Sequence, residues 1–170
     1  IGDTGQCAFT WTGPYGSGKS SLIVALGALL SGQKRLRETA MAGIGDAASR
    51  ELLEQLAPRG ASWQVVPVVG RREALAELIG KALEGHDLAR RPTKGWRDED
   101  VLARLEEALA GSAKQSSRIL LVVDELGKAL EGAAQSGHDI YLLQQLAEMA
   151  SRSERRLVLI GVLHQSFDEY

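Results

Sequence analysis

The chain has 170 residues and a mass of 18.3 kDa, which suits one domain with a sizeable core of its own. Its 44% hydrophobic and 25% charged residues exclude a wholly disordered, collagen-like or disulfide-scaffold chain. A formal charge of −2 gives no general attraction to nucleic acid or anionic lipid, although a local basic patch is compatible with it, and nucleic-acid contact through regions outside this segment stays open. The single cysteine, Cys7, cannot make an internal disulfide, and no Cys or His cluster has zinc-ligand spacing, which fits a reducing cytoplasm. No apolar run approaches the roughly 20 residues needed to span a bilayer, and no charged leader is visible, so no membrane partner is expected. Because the first residue is Ile1, the segment is expected to be a piece of a longer protein.

In chain order, Cys7 to Thr12 is short, apolar and aromatic-rich and stops at Gly13-Pro14, which reads as a buried strand ending in a turn. Beyond Lys19, Leu22, Ile23, Leu26, Leu29 and Leu30 recur at helical spacing until Gly32. Residues 33–48 have weak periodicity and carry no assignment, whereas Ser49 to Ala57 reads as a short helix capped by Ser49. Trp63 to Val69 is a second apolar strand, and Pro67 requires it to sit at an edge or a bulge, the edge being the preferred reading. Leu75, Leu78, Ile79, Ala82 and Leu83 line one helical face, and a polar, basic, insertion-like loop follows over 85–97.

Asp98 is the expected N-cap of a helix carrying Leu102, Leu105 and Leu109, which ends near Gly111. Ile119 to Val123 is continuously apolar, the signature of a strand buried on both faces of a parallel sheet, and it ends in Asp124-Glu125. A helix with Leu142, Leu143, Leu146 and Met149 precedes the apolar strand Leu157 to Leu163, which ends at His164-Gln165. This alternation predicts an α/β fold, a three-layer α-β-α sandwich with a mainly parallel sheet joined by right-handed crossovers. In such sheets ligands bind beyond the carboxyl ends of the strands.

Gly13-Pro14-Tyr15-Gly16-Ser17-Gly18-Lys19-Ser20 matches G-x-x-x-x-G-K-[ST] between a predicted strand and a predicted helix, where a phosphate-cradling loop must lie. For a chain of this length a chance match falls below about one in a hundred. The glycines let successive N–H groups face phosphates, and the helix N-terminus adds partial positive charge. Lys19 is expected on the β and γ phosphates and the Ser20 hydroxyl on Mg²⁺, with Ser21 next on the helix. Asp124, read as lying on the strand beside the first one, is expected to reach the Mg²⁺ shell through water, and Glu125 to orient or deprotonate the attacking water. The plainer readings are a helix N-cap for Asp124 and a solvated first-turn acid for Glu125. His164 and Gln165 end the last strand, where either can contact the γ phosphate or the attacking water. A hydrogen-bonded strand-end histidine is the plainer reading of His164, and His86 and His138 read as loop and cap residues.

Together these features resemble the P-loop ATPase division in which a catalytic glutamate follows the Walker B aspartate, in particular its AAA+ and STAND branches. The resemblance makes Gly13 to Ser20 the Walker A motif, Ile119 to Glu125 Walker B, and His164 sensor 1, where the family usually has Asn. The segments Asp124-Glu125-Leu126-Gly127-Lys128 and Leu163 to Phe167 are also similar to large bacterial ATPases with origin-recognition-like cores, some linked to phage defence. It implies ATP and Mg²⁺ as ligands, a homo-oligomer or larger assembly, and strand order 5-1-4-3-2. The fifth strand, an arginine finger and a helical lid would lie outside this segment, leaving the Cys7 to Thr12 strand as an exposed apolar edge.

Other readings are weaker. Asp124-Glu125-Leu126-Gly127 satisfies the D-x-x-G of GTP switches, but the N-K-x-D that reads guanine is missing, since the chain has no asparagine. Leu30-Ser31-Gly32-Gln33 lies too far from Asp124 for an ABC signature. A small-molecule kinase shares the glycine loop, but a Glu directly after the strand-end Asp suits water activation better. A nucleotide-gated interaction switch with little turnover is the main alternative from another class.

Overall fold

The computed structural model describes residues 6–57, 63–110, 118–136 and 140–165. Its elements are β1 (Ala8–Thr12), α1 (Lys19–Leu30), α2 (Lys34–Ile44), α3 (Asp46–Leu56), β2 (Trp63–Val69), α4 (Leu75–Gly85), α5 (Asp98–Ala110), β3 (Arg118–Asp124), α6 (Leu126–Ser136), α7 (Tyr141–Arg152) and β4 (Leu157–Leu163). Gly111 and His138 lie outside the described residues.

The four strands form one sheet in the order β1-β4-β3-β2, and every pair is parallel. β3 and β4 occupy the centre, and their continuous apolar runs are buried along nearly their whole length. Each fully buried leucine there, such as Leu121 or Leu157, contributes about 2 kcal/mol through the water it releases. The outer strands are half-buried. β2 carries Pro67 exposed at the edge, where its missing N–H costs no ladder bond. β1 forms the other edge, with Phe9 and Trp11 only partly buried.

Alternate side chains of each strand serve opposite helical layers. Trp11, Leu120, Val158 and Ile160 face α1, α2 and α3, whereas Val123, Leu159 and Gly161 face α6 and α7, which pack with α4 and α5. The molecule is therefore a three-layer α/β sandwich. Cys7 is fully buried just before β1, and burial raises its thiol above the ordinary range.

Four local features differ from the expectations or add to them. Residues 34–44 form α2, whose Arg37 donates to the carbonyls of Leu29 and Ser31 at 3.1 and 2.9 Å and so closes the end of α1. α3 begins at Asp46 after Gly45, at φ 100°, so Ser49 is not its cap but a fully buried residue inside the helix. Leu126–Ser136 is a helix that only the plainer readings of Asp124 and Glu125 implied; its apolar Leu126, Ala129 and Leu130 have the right spacing but are few. The 85–97 segment is tied to α4: Trp96 is buried, and its backbone and indole N–H donate to Glu77 and Glu84 at 2.9 and 2.5 Å.

No helix among the described residues is long and apolar enough to cross a membrane.

Candidate functional site

Because the sheet is parallel, the carboxyl ends of all four strands open on one side. β1 runs into the Gly13–Ser20 loop, β4 into His164-Gln165, β3 into Asp124-Glu125, and β2 into Gly70-Arg71-Arg72. Every residue singled out in the sequence as a site candidate falls on this side. Arg155 and Arg156 precede β4 and lie at the opposite end.

The loop is shaped by two glycines in the left-handed region, Gly16 at φ 75° and Gly18 at φ 85°, with nothing within 4 Å of where a Cβ would stand at either. A side-chain-bearing residue there would cost roughly 1–2 kcal/mol of strain. The curl delivers the chain directly into α1, whose first turn has no side-chain cap and no acid. The leading N–H groups of α1, from Lys19, Ser20 and Ser21, thus sit at a positive dipole end with no partner in the helix. Lys19 folds back over the loop, donating to the carbonyls of Gly13 and Pro14 at 2.5 and 2.9 Å and to the Ser17 hydroxyl at 3.3 Å. An ammonium held only by neutral acceptors, beside uncapped N–H groups, fits phosphate.

Asp124 is not on the strand next to β1, since β4 lies between them. Two residue types reach across that gap. Ser20, one residue into α1, donates its hydroxyl to Asp124 Oδ2 at 2.8 Å, while Asp124 Oδ1 accepts the Glu125 N–H at 2.9 Å. The contact is direct. A hydroxyl and a carboxylate oxygen this close suit a hard divalent cation that completes its shell with phosphate oxygens and water. Among the described residues no group of three His, Cys, Asp or Glu side chains could hold a metal ion.

Glu125 occupies the turn between β3 and α6 at φ 54°, a left-handed conformation that costs a non-glycine residue roughly 1–2 kcal/mol. Its surroundings hold it there. The Lys128 N–H donates to the Glu125 carbonyl at 3.0 Å, and Gly70 packs so closely that an added Cβ would stand 2.1 Å from that carbonyl. The Glu125 carboxylate is in contact with the Lys128 ammonium, which this hydrogen bond raises above the ordinary lysine range.

No family model matches the chain, and no curated protein is significantly similar to it.

His164 follows Leu163, which pairs with Thr12, so the imidazole stands level with the start of the loop. It is stacked on Tyr15, with centroids 3.7 Å apart and planes 20° from parallel, and both its ring nitrogens are buried without a hydrogen-bond partner. The structure therefore does not give His164 the hydrogen bonds of the plainer reading. Gln165 is the next residue, exposed at the end of β4.

A cleft of about 640 Å³ opens beside the loop, walled by Tyr15, Gly70, Arg71, Arg72, Glu125 and Lys128. Lys128, Gly70 and the two arginines were not anticipated as site residues. Lys128 lies three residues beyond Glu125, a spacing that is informative only once α6 is recognised as a helix.

Proposed function

We propose that this chain is the nucleotide-binding core of a P-loop NTPase that binds MgATP and hydrolyses it, coupled to conformational change in a larger AAA+- or STAND-like protein. The Ser20–Asp124 hydrogen bond carries the reading. It joins a hydroxyl one residue after the loop lysine to a carboxylate ending a buried strand, the two oxygens a Mg²⁺ beside phosphates requires.

In this reading the phosphates take the curled loop and the N-terminus of α1, and Lys19 exchanges the Gly13 and Pro14 carbonyls for β and γ phosphate oxygens. Bound Mg²⁺ supplies charge neutralisation on those phosphates. Glu125 orients a water and takes its proton as the water oxygen attacks the γ phosphorus. The bond from that phosphorus to the bridging β–γ oxygen breaks, giving ADP and inorganic phosphate. His164 offers a ring nitrogen to the terminal phosphate, and an arginine from elsewhere in a homo-oligomer or larger assembly adds positive charge. The setting we propose is cytoplasmic.

A second reading is a nucleotide-gated interaction switch with little turnover, in which the Lys128 contact is one of the restraints on the Glu125 carboxylate. ATP and GTP binding and turnover by the full-length protein test both. Lys19→Ala is expected to abolish binding, and Glu125→Gln to keep binding while lowering turnover by roughly 10²- to 10⁴-fold. Tight, Lys19-dependent binding with no wild-type turnover would select the switch. Nucleotide binding that survives Lys19→Ala would overturn both.

A further inference from the structure

Three of the described side chains keep buried polar atoms without hydrogen-bond partners: Ser49, Arg118 and His164. Ser49 lies inside α3, and Arg118, at the start of β3, is engaged through another nitrogen with the Leu56 carbonyl. His164 alone is at the carboxyl end of the sheet. A buried imidazole with neither nitrogen satisfied is destabilising, so something must hold the ring where its polar atoms await a partner. The ring contact that does so comes from the glycine loop. Tyr15 lies nearly parallel over His164 while 75% of its own surface remains exposed. An exposed aromatic on a loop of high backbone freedom gains little for the fold. Its inner face covers the imidazole, and its edge belongs to the wall of the cleft that holds Glu125 and Lys128.

We propose that Tyr15 is a positioning residue, stacking on His164 so that the imidazole is held in register with the phosphate loop and one of its covered, partnerless nitrogens meets the terminal phosphate when the loop rearranges around it. This rests on the phosphate-loop reading above and adds a coupling to it. Tyr15 sits between Pro14, whose carbonyl Lys19 grips, and Gly16, at positive φ, so any rearrangement of the loop around phosphate is transmitted through the stack to the end of β4. The residues involved lie on β1's loop and on β4, adjacent strands of the sheet.

The test compares wild type, Tyr15→Phe, Tyr15→Leu and Tyr15→Ala in MgATP turnover and in the imidazole NMR resonances of His164, assigned with His164→Gln. Tyr15 is exposed, so these variants should remain folded, which thermal melts verify. Tyr15→Phe keeps the ring and is expected to match wild type in both readouts. Tyr15→Ala and Tyr15→Leu should move the His164 resonances downfield as the ring current is lost. They should lower kcat by about ten- to a hundredfold, the scale of a misplaced group near the reacting centre, with KM within about twofold. Inorganic tripolyphosphate should shift the His164 resonances in wild type and less in Tyr15→Ala. If binding remains Lys19-dependent but Tyr15→Ala behaves as Tyr15→Phe, the coupling is wrong and the phosphate-loop reading stands. If neither ATP nor tripolyphosphate binds wild type, the phosphate-loop reading is wrong and the coupling falls with it, although Tyr15→Ala would still move the His164 resonances.

Discussion

Ser20 Oγ and Asp124 Oδ2 lie 2.8 Å apart although 104 residues separate them in the chain and β4 separates their strands. α1 begins above the sheet rather than within it, so its first turn reaches over the end of β4. The two side chains form one unit, and their substitutions should not add. Ser20→Ala and Asp124→Asn are each expected to weaken magnesium-dependent ATP binding by about ten- to a hundredfold, matching a charge-assisted hydrogen bond of roughly 1.5–3 kcal/mol. The double variant should lose little more than the worse single one, a coupling of about 1–2 kcal/mol. Titration calorimetry with and without magnesium measures this; additive losses would separate the two roles.

The ion pair between Glu125 and Lys128 restrains the residue expected to act as base. The Lys128 side chain is 48% exposed, and an exposed, solvent-screened ion pair holds its partners only weakly. Lys128→Met should therefore raise turnover by no more than about fivefold. A fall in kcat would mean instead that Lys128 acts on the nucleotide. Steady-state kinetics at fixed ionic strength distinguish these outcomes.

Gly70 is the position where the site tolerates no side chain. Its N–H donates to the Asp124 carbonyl at 2.7 Å, and a Cβ would collide with the backbone of Glu125. Gly70→Ala is expected to destabilise the protein by about 1–3 kcal/mol and to displace the turn bearing Glu125. Gly85→Ala, with nothing within 4 Å of the added carbon, should be neutral or slightly stabilising. Thermal melts of the two variants settle the contrast.

Two surface carboxylates impose a small acid sensitivity. The hydrogen bond from Arg97 holds Asp100 below the usual carboxylate range, and that from Lys81 does the same for Glu73. In each case the folded pKa lies below the unfolded one, so the stabilisation is complete above the unfolded value and is lost as pH falls through the folded value. Asp100→Asn should lower the melting temperature at neutral pH, and its difference from wild type should shrink as the pH falls below the ordinary carboxylate range. A difference that persists in acid would assign the effect to the start of α5 instead.

The sheet was legible because its central strands announce themselves: Ile119 to Val123 and Leu157 to Leu163 are apolar at every position, as burial on both faces requires. Pro67 marked one edge, but the aromatic run with Phe9 and Trp11 read as a buried strand and is only partly buried; its edge position followed from the resemblance alone. The glycine loop was legible because its spacing states a backbone conformation, and Gly16 and Gly18 adopt it. What stayed hidden depends on tertiary placement. α2 shows only Ala40 to the core, so its sequence carries little apolar period, and Ser49 looked like a cap because serine commonly is one. No local pattern could pair Tyr15 with His164 or bring Gly70 against Glu125, since those contacts exist only once the strands are in order.

That order has a consequence for how the molecule is made. Ala8 pairs with Leu159 and Thr12 with Leu163, so among the described residues the strand leading into the glycine loop finds its one neighbour about 150 residues further along the chain. Such distant pairing makes folding slow, because nearly all of the intervening chain must close into a loop before the pairing is rewarded. A ribosome-bound chain halted before Leu157 should hold β1 unpaired and the glycine loop without its seat. If the loop binds phosphate as proposed, that affinity should emerge late in synthesis, in a single step, as β4 slides between β1 and β3.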